Sequence, residues 1–296
     1  MTWTVVEGPP RAVVLATDLS ARCDRAMDRA AALAKAWGAA LVAVHALEPA
    51  HETDRERHMP SWRRRDPVGI AEAQLRRDLT DIDVRVVVEK GEPAEIVLRA
   101  VATSRAGLIV AGVARNEALG RFGVGATVDR LAQQASAPIL IVKERPRQPY
   151  GRILVAADFS ESSKRALQTA IAFFPDVHLT VLNAFDAPSA RPDDDADREG
   201  LRATALADGE TFLARAGIFT AAQRRNVTLV AEPGDPADLV RQYAEDHGVD
   251  LVVVGIRGRP GLLDLLIGTA GRSILAAVPC DALVVPHGRD TSETNG

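Results

Sequence analysis

Apolar residues fall in short unbroken runs along the chain, separated by longer stretches of helical periodicity. In the amino-terminal half the runs are VVLAT from Val13, LVAVHA from Leu41, VRVVV from Val84, GLIVAG from Gly107 and PILIV from Pro138. They are rich in Val, Ile and Leu and show no sustained polar alternation. Strands of that kind are buried on both faces, as in a parallel sheet covered by helices. Between them lie helix-like segments such as Ser20 to Trp37, where Ala and Leu recur at helical spacing. Alternating strands and helices predict a doubly wound α/β domain. In such sheets a ligand sits beyond the carboxyl ends of the strands, where the strand order reverses.

The pattern is written twice. AVVLATDLSARCDRAMDRAAALAKAWGAALVAVHAL, from Ala12, matches ILVAADFSESSKRALQTAIAFFPDVHLTVLNAF, from Ile153. Asp18 pairs with Asp158, Ser20 with Ser160, Gly91 with Gly234 and Pro93 with Pro236. A repeat of half the chain is a whole domain rather than a solenoid unit. Two homologous domains are expected, at residues 1–147 and 148–288, each a five-stranded parallel sheet flanked by helices. The seam falls in KERPRQPYGR, Lys143 to Arg152, and the polar tail at 289–296 is expected to be disordered. Ser20 and Ser160 read as helix N-caps, and Pro93 and Pro236 suit a first helical turn. The last strand of each half is an edge that seeks pairing, so the halves are expected to form an intrachain pseudo-dimer; association of two chains as a homodimer stays open.

One stretch carries the chemistry: LVVVGIRGRPGLLDLLIGTAGRS, Leu251 to Ser273. Gly255 ends an apolar run, Gly258 follows in the loop, and Gly268 and Thr269 open the next helix. Glycines let backbone approach a ligand closely. A helix amino terminus presents free N–H groups and a positive dipole end. Thr269 adds a hydroxyl. Together these make a phosphate cradle. It matches neither the dinucleotide G-x-G-x-x-G, which would follow the first strand, nor G-x-x-x-x-G-K-[ST].

With a domain that begins strand, Asp-x-Ser, helix, the G-2x-G-9x-G-T spacing resembles the universal stress protein family, and the resemblance spans about Arg11 to His287. It implies two Rossmann-like domains in tandem. Some members of that family bind ATP with this loop, and others lack it and do not. By similarity, Gly255, Gly258, Gly268 and Thr269 would hold the triphosphate of ATP, Asp158 would face the ribose, and Mg²⁺ would travel with the nucleotide. The first half departs from the pattern. Gly112 and Gly125 stand in place, but Arg115 replaces the middle glycine and Ala126 the threonine, with Thr127 one position late. Asp18 is retained. The expectation is an ATP-binding regulatory protein whose second domain holds the nucleotide and whose first binds it weakly or not at all. Slow hydrolysis at most is expected of it; the alternatives are a nucleotide-independent scaffold and a slow ATPase or adenylyl-transfer enzyme acting on adenine nucleotides.

Composition narrows the rest. A net charge of −4 with dispersed Lys and Arg argues against a nucleic-acid partner. No apolar run reaches the length of a membrane span. No signal peptide is evident and only Cys23 and Cys280 occur, which suits a reducing cytoplasm. No nucleophile elbow or Cys–His pairing stands out, so no catalytic residue is assigned. His45 reads as a packed histidine. His51 and His58 have neither zinc-finger nor H-E-x-x-H spacing. The acidic run Pro192 to Gly200 is expected to precede a helix.

Overall fold

The computed structural model describes residues 8–47, 66–115, 122–123, 125–186, 195–217, 220–256 and 269–286. The first half contains β1 (Ala12–Ala16), α1 (Asp24–Trp37), β2 (Ala40–Leu47), α2 (Pro67–Asp78), β3 (Val84–Lys90), α3 (Pro93–Ser104), β4 (Leu108–Gly112), a small hairpin of β5 (Ala114–Arg115) and β6 (Phe122–Gly123), α4 (Ala126–Gln134) and β7 (Ile139–Val142). The second contains β8 (Arg152–Ala156), α5 (Glu161–Phe173), β9 (His178–Phe185), α6 (Asp195–Ala216), α7 (Ala221–Arg225), β10 (Val227–Pro233), α8 (Pro236–His247), β11 (Leu251–Gly255), α9 (Thr269–Ala277) and β12 (Asp281–Val285).

Ten strands form one continuous sheet in the order β10-β9-β8-β11-β12-β7-β4-β1-β2-β3. Each half supplies five parallel strands. The halves meet where β12 runs antiparallel to β7, with Leu283 opposite Leu140. Strand order reverses between β1 and β4, and again between β8 and β11.

The apolar runs are continuous because both faces of the sheet are covered. Val13 and Leu15 point into one core, shared with α1, α2, α5 and α6. Val14, between them, points into the other, shared with α3, α4, α8 and α9. Each core draws residues from both halves, so the two domains share their packing as well as their sheet. An aromatic cluster reinforces the junction: Trp37, ending α1, lies 5.5 Å from Phe173 and 5.8 Å from Phe174. Tyr150 meets Phe174 edge-on at 5.6 Å.

Local signals act largely as their chemistry dictates. Pro93 and Pro236 occupy the first turns of α3 and α8, and Glu92 and Asp235 cap them. Gly91 and Gly234 take φ of +145° and +146° just before those helices, a conformation that disfavours a side chain. Ser160 caps α5 through the Ser163 N–H. Ser20 does not cap α1. That helix begins at Asp24 behind Cys23, and residues 20–23 form a turn closed by Cys23 N–H to the Ser20 carbonyl at 2.8 Å. The acidic run does not merely precede a helix, because α6 starts inside it at Asp195.

The seam is no solvated linker. Asp281, fully buried, accepts from Lys143 N–H at 2.7 Å, Glu144 N–H at 2.9 Å and the Tyr150 hydroxyl at 2.6 Å. The Arg29 guanidinium stands 3.4 Å from Oδ2, the oxygen that also accepts from Tyr150, and lies over the Tyr150 ring. A carboxylate taken out of water needs such partners.

Candidate functional site

Beyond the carboxyl ends of β8 and β11 lies a cavity of about 290 Å³. Its formation starts with Asp-x-Ser. Phe159 adopts φ +58°, an uncommon left-handed conformation for a residue with a side chain. That turn folds the backbone so that the Asp158 carboxylate accepts from the Ser160 N–H at 3.1 Å and the Ser163 hydroxyl at 3.1 Å. Helix α5 then starts at once, and its first turn, with Ser162 and Ser163, becomes one wall. Gly255 ends β11 directly against that turn. A Cβ there would run into the Ser162 carbonyl oxygen, closer than real Cβ atoms come to any neighbour. Ala156, Leu182, Val240, Val254 and Ile274 give the cavity its apolar lining, and Ala270 and Gly271 bring in the start of α9.

The first half repeats the plan in a cavity of about 230 Å³ beyond β1 and β4. Leu19 has φ +60°, and Asp18 accepts from the Ser20 N–H at 2.8 Å. Burial pushes the Asp18 carboxyl up, but hydrogen bonding by Ser20 and Cys23 and the Arg22 charge outweigh it, so its pKa falls below the ordinary value. Gly112, Gly125 and Thr127 all line this cavity, Gly125 as the N-cap of α4. Arg22 and Cys23 line it where the second half has Ser162 and Ser163. Burial raises the Cys23 thiol to about 11. A Cβ on Gly112 would meet the Arg22 carbonyl at 3.4 Å, an ordinary contact.

Of the residues singled out in the sequence, Asp158 and Gly255 meet in the second cavity, and Asp18, Gly112, Gly125 and Thr127 in the first. Thr269 is the first residue of α9. Gly258 and Gly268 lie outside the described residues, as do His51 and His58. His45 is half-buried, with Nδ1 3.0 Å from the Thr17 carbonyl, and packs as a structural residue. Sequence reasoning placed none of the residues four and five places after each Asp at the site. A partial signal existed in the second half only: Asp-x-Ser opens a helix at the strand end, so the first turn of that helix lies beside the crevice. Among the described residues, no group of three or more His, Cys, Asp or Glu could share a metal ion.

A carboxylate over a turn, an apolar slot and a helix start, at a reversal of strand order, recur in both halves. A family model described as the universal stress protein family matches residues 10–143 and again 149–286. The chain belongs to the universal stress protein family. It is a tandem member, because each match spans a full set of five parallel strands. Single-domain relatives align with about half of it. Universal stress protein Sll1388 of Synechocystis is 28% identical over 159 residues, covering 47% of this chain and 99% of that protein. A universal stress protein of Thermus aquaticus is 31% identical over 135 residues, covering 45% and 96%. Among solved structures, a universal stress protein from Archaeoglobus fulgidus superposes with a TM-score of 0.66 at 17% identity, covering 93% of this chain and 98% of that one. This likeness extends the shared fold to the whole tandem. No helix among the described residues is long and apolar enough to cross a membrane.

Proposed function

We propose that this universal stress protein binds ATP as a regulatory ligand, mainly in the cavity of its second half. The observation that carries the reading is the convergence at one strand-order reversal of the Asp158 carboxylate, an apolar slot and the opening turn of α9. An adenine ring suits the slot formed by Leu182, Val240 and Ile274, as ligand cavities are mostly apolar with few polar anchors. Asp158 is an acceptor for ribose hydroxyls. The start of α9, preceded in sequence by Gly258 and Gly268, offers N–H groups and a positive dipole end for the phosphates. Mg²⁺ bound to the nucleotide would supply countercharge, and Arg257 and Arg259, which flank Gly258 in the sequence, are candidates to add to it. The first cavity is smaller, places Arg22 and Cys23 at its wall, and follows a loop in which Arg115 replaces a glycine. It binds nucleotide more weakly in this reading. The domains divide at residues 147 and 148, and partner proteins read the nucleotide-bound state in the cytoplasm.

Calorimetric titration of the whole chain with ATP and Mg²⁺, beside Gly268→Val, tests the reading. Binding by the wild type and its loss in the variant support it. Unchanged affinity in Gly268→Val removes the phosphate cradle from the account.

A further inference from the structure

The helix that opens the second cavity is held at its far end by a residue of the first half. Helix α9 is nine residues long, about 13 Å at the usual rise per residue. Ala270, Gly271 and Ile274 line the cavity near its start. At its end the Leu275 and Val278 carbonyls accept from Lys143 Nζ at 2.6 and 2.7 Å. The last carbonyls of a helix have no partner within it, and a cation there opposes the negative end of the dipole.

Lys143 is not a loose surface lysine. It is 2% exposed. Its N–H donates to Asp281 Oδ1 at 2.7 Å, and its carbonyl accepts from Arg25 Nη1 of α1 at 2.6 Å. The residue is therefore braced by α1 of its own half and β12 of the other, with its ammonium on α9. The grip has no mirror image. Val142 pairs with Gly112 as Val285 pairs with Gly255, so Pro286 stands where Lys143 would, and proline has no side-chain donor. The first half can thus hold the second half's cavity helix, while α4 receives no such hold from Pro286.

We propose that Lys143 is a positioning residue for the second cavity: it fixes α9 against the first half and so sets how tightly the cavity takes adenine nucleotide. This rests on the nucleotide reading above. A short rigid helix passes a displacement at one end to the other, and the two ends of α9 lie in different functional settings.

The charge on Lys143 provides a handle. Burial draws its pKa down from 10.5 to about 8, against the raising influence of the Asp281 carboxylate. The other groups around it are Arg25 and Arg29 from α1, Glu144 beside it and Tyr150 from the seam. The Cys280 thiol, raised by burial to about 12, and the Tyr150 hydroxyl, raised well above 10, stay protonated through the range of interest. Between pH 7 and 9 Lys143 therefore passes from ammonium to amine, and its hold on the carbonyls weakens. Its effect on the fold has the opposite sign. Between about 8 and 10.5 the unfolded chain binds more protons at this residue than the folded chain, so stability rises with pH there. Affinity and stability move apart, which a purely structural lysine would not produce.

The test is calorimetric titration of the full chain with ATP and Mg²⁺ at pH 7 and pH 9, for wild type, Lys143→Arg and Lys143→Met. Wild type should weaken about tenfold between the two pH values, within the usual range for coupled sites. Lys143→Arg, which keeps its charge, should show no such fall. Lys143→Met should bind about tenfold more weakly than wild type at pH 7, with amide exchange quickened across α9 and unchanged in α4. Equal wild-type affinity at pH 7 and 9, or an equal fall in Lys143→Arg, overturns the proposal, and this pair decides even if Lys143→Met does not fold. Wild type that binds no nucleotide at either pH defeats the functional reading instead, and this one with it. The exchange comparison requires no nucleotide, so it still shows whether Lys143 holds α9.

Discussion

The two cavities are built from one plan and differ in how the first helix of each half begins. In both, an Asp at the end of the first strand accepts from a Ser N–H across a left-handed residue, Leu19 or Phe159. In the second half α5 starts immediately at Glu161, capped by Ser160, and its backbone closes onto Gly255. In the first, a turn intervenes, α1 starts three positions later in the repeat at Asp24, and Gly112 has ordinary clearance. A duplicated sequence can thus keep the anchoring carboxylate while one helix start determines how tightly the wall closes. The same asymmetry appears at the junction. Ile139 pairs with Ile109 as Ala282 pairs with Val252, so the buried Asp281 occupies the place of Pro138.

Equivalent substitutions in the two halves should therefore behave unequally. Asp281→Ala strands the Arg29 charge and removes the acceptor for three donors; a loss of about 3–5 kcal/mol is expected in chemical denaturation. Pro138→Ala should cost far less, and equal costs would mean that the seam is not the lock described. Gly255→Ala drives a Cβ into the Ser162 carbonyl and should destabilise by about 1–3 kcal/mol. Gly112→Ala should stay near neutral, and a matching loss would erase the distinction between the two walls. Ser160→Ala removes a cap and should cost about 1 kcal/mol, with Ser20→Ala costing less because Ser20 caps no helix. The smallest effect concerns Cys23. With its thiol raised to about 11, reaction with a thiol reagent at pH 8 should be slower than that of free cysteine. Rapid labelling would place a thiolate in the first cavity.

Much of this architecture was legible in the chain. Runs such as VVLAT and LVVVG are buried on both faces, and their repetition exposes two domains because a parallel strand has no polar side to show. The Asp, Gly and Pro landmarks recur because each meets a local backbone demand. What stayed hidden depends on contacts distant in sequence. Ser20 looks as good a cap as Ser160, and only the turn through Cys23 decides otherwise. Lys143 and Asp281 look like residues flanking apolar strands, since nothing near either shows that, 138 positions apart, they are hydrogen-bonded. The Ser162 and Ser163 wall was missed for a related reason: serines at a helix start read as polar surface until Gly255 is placed against them.

The most direct test compares the two anchoring carboxylates. Equilibrium titration with ATP and Mg²⁺ should give tight binding for the wild type and for Asp18→Ala, and a loss of about tenfold or more for Asp158→Ala, as expected for a hydrogen bond to a charged group. Equal losses in the two variants, or a loss in Asp18→Ala alone, would contradict the assignment of the nucleotide to the second half.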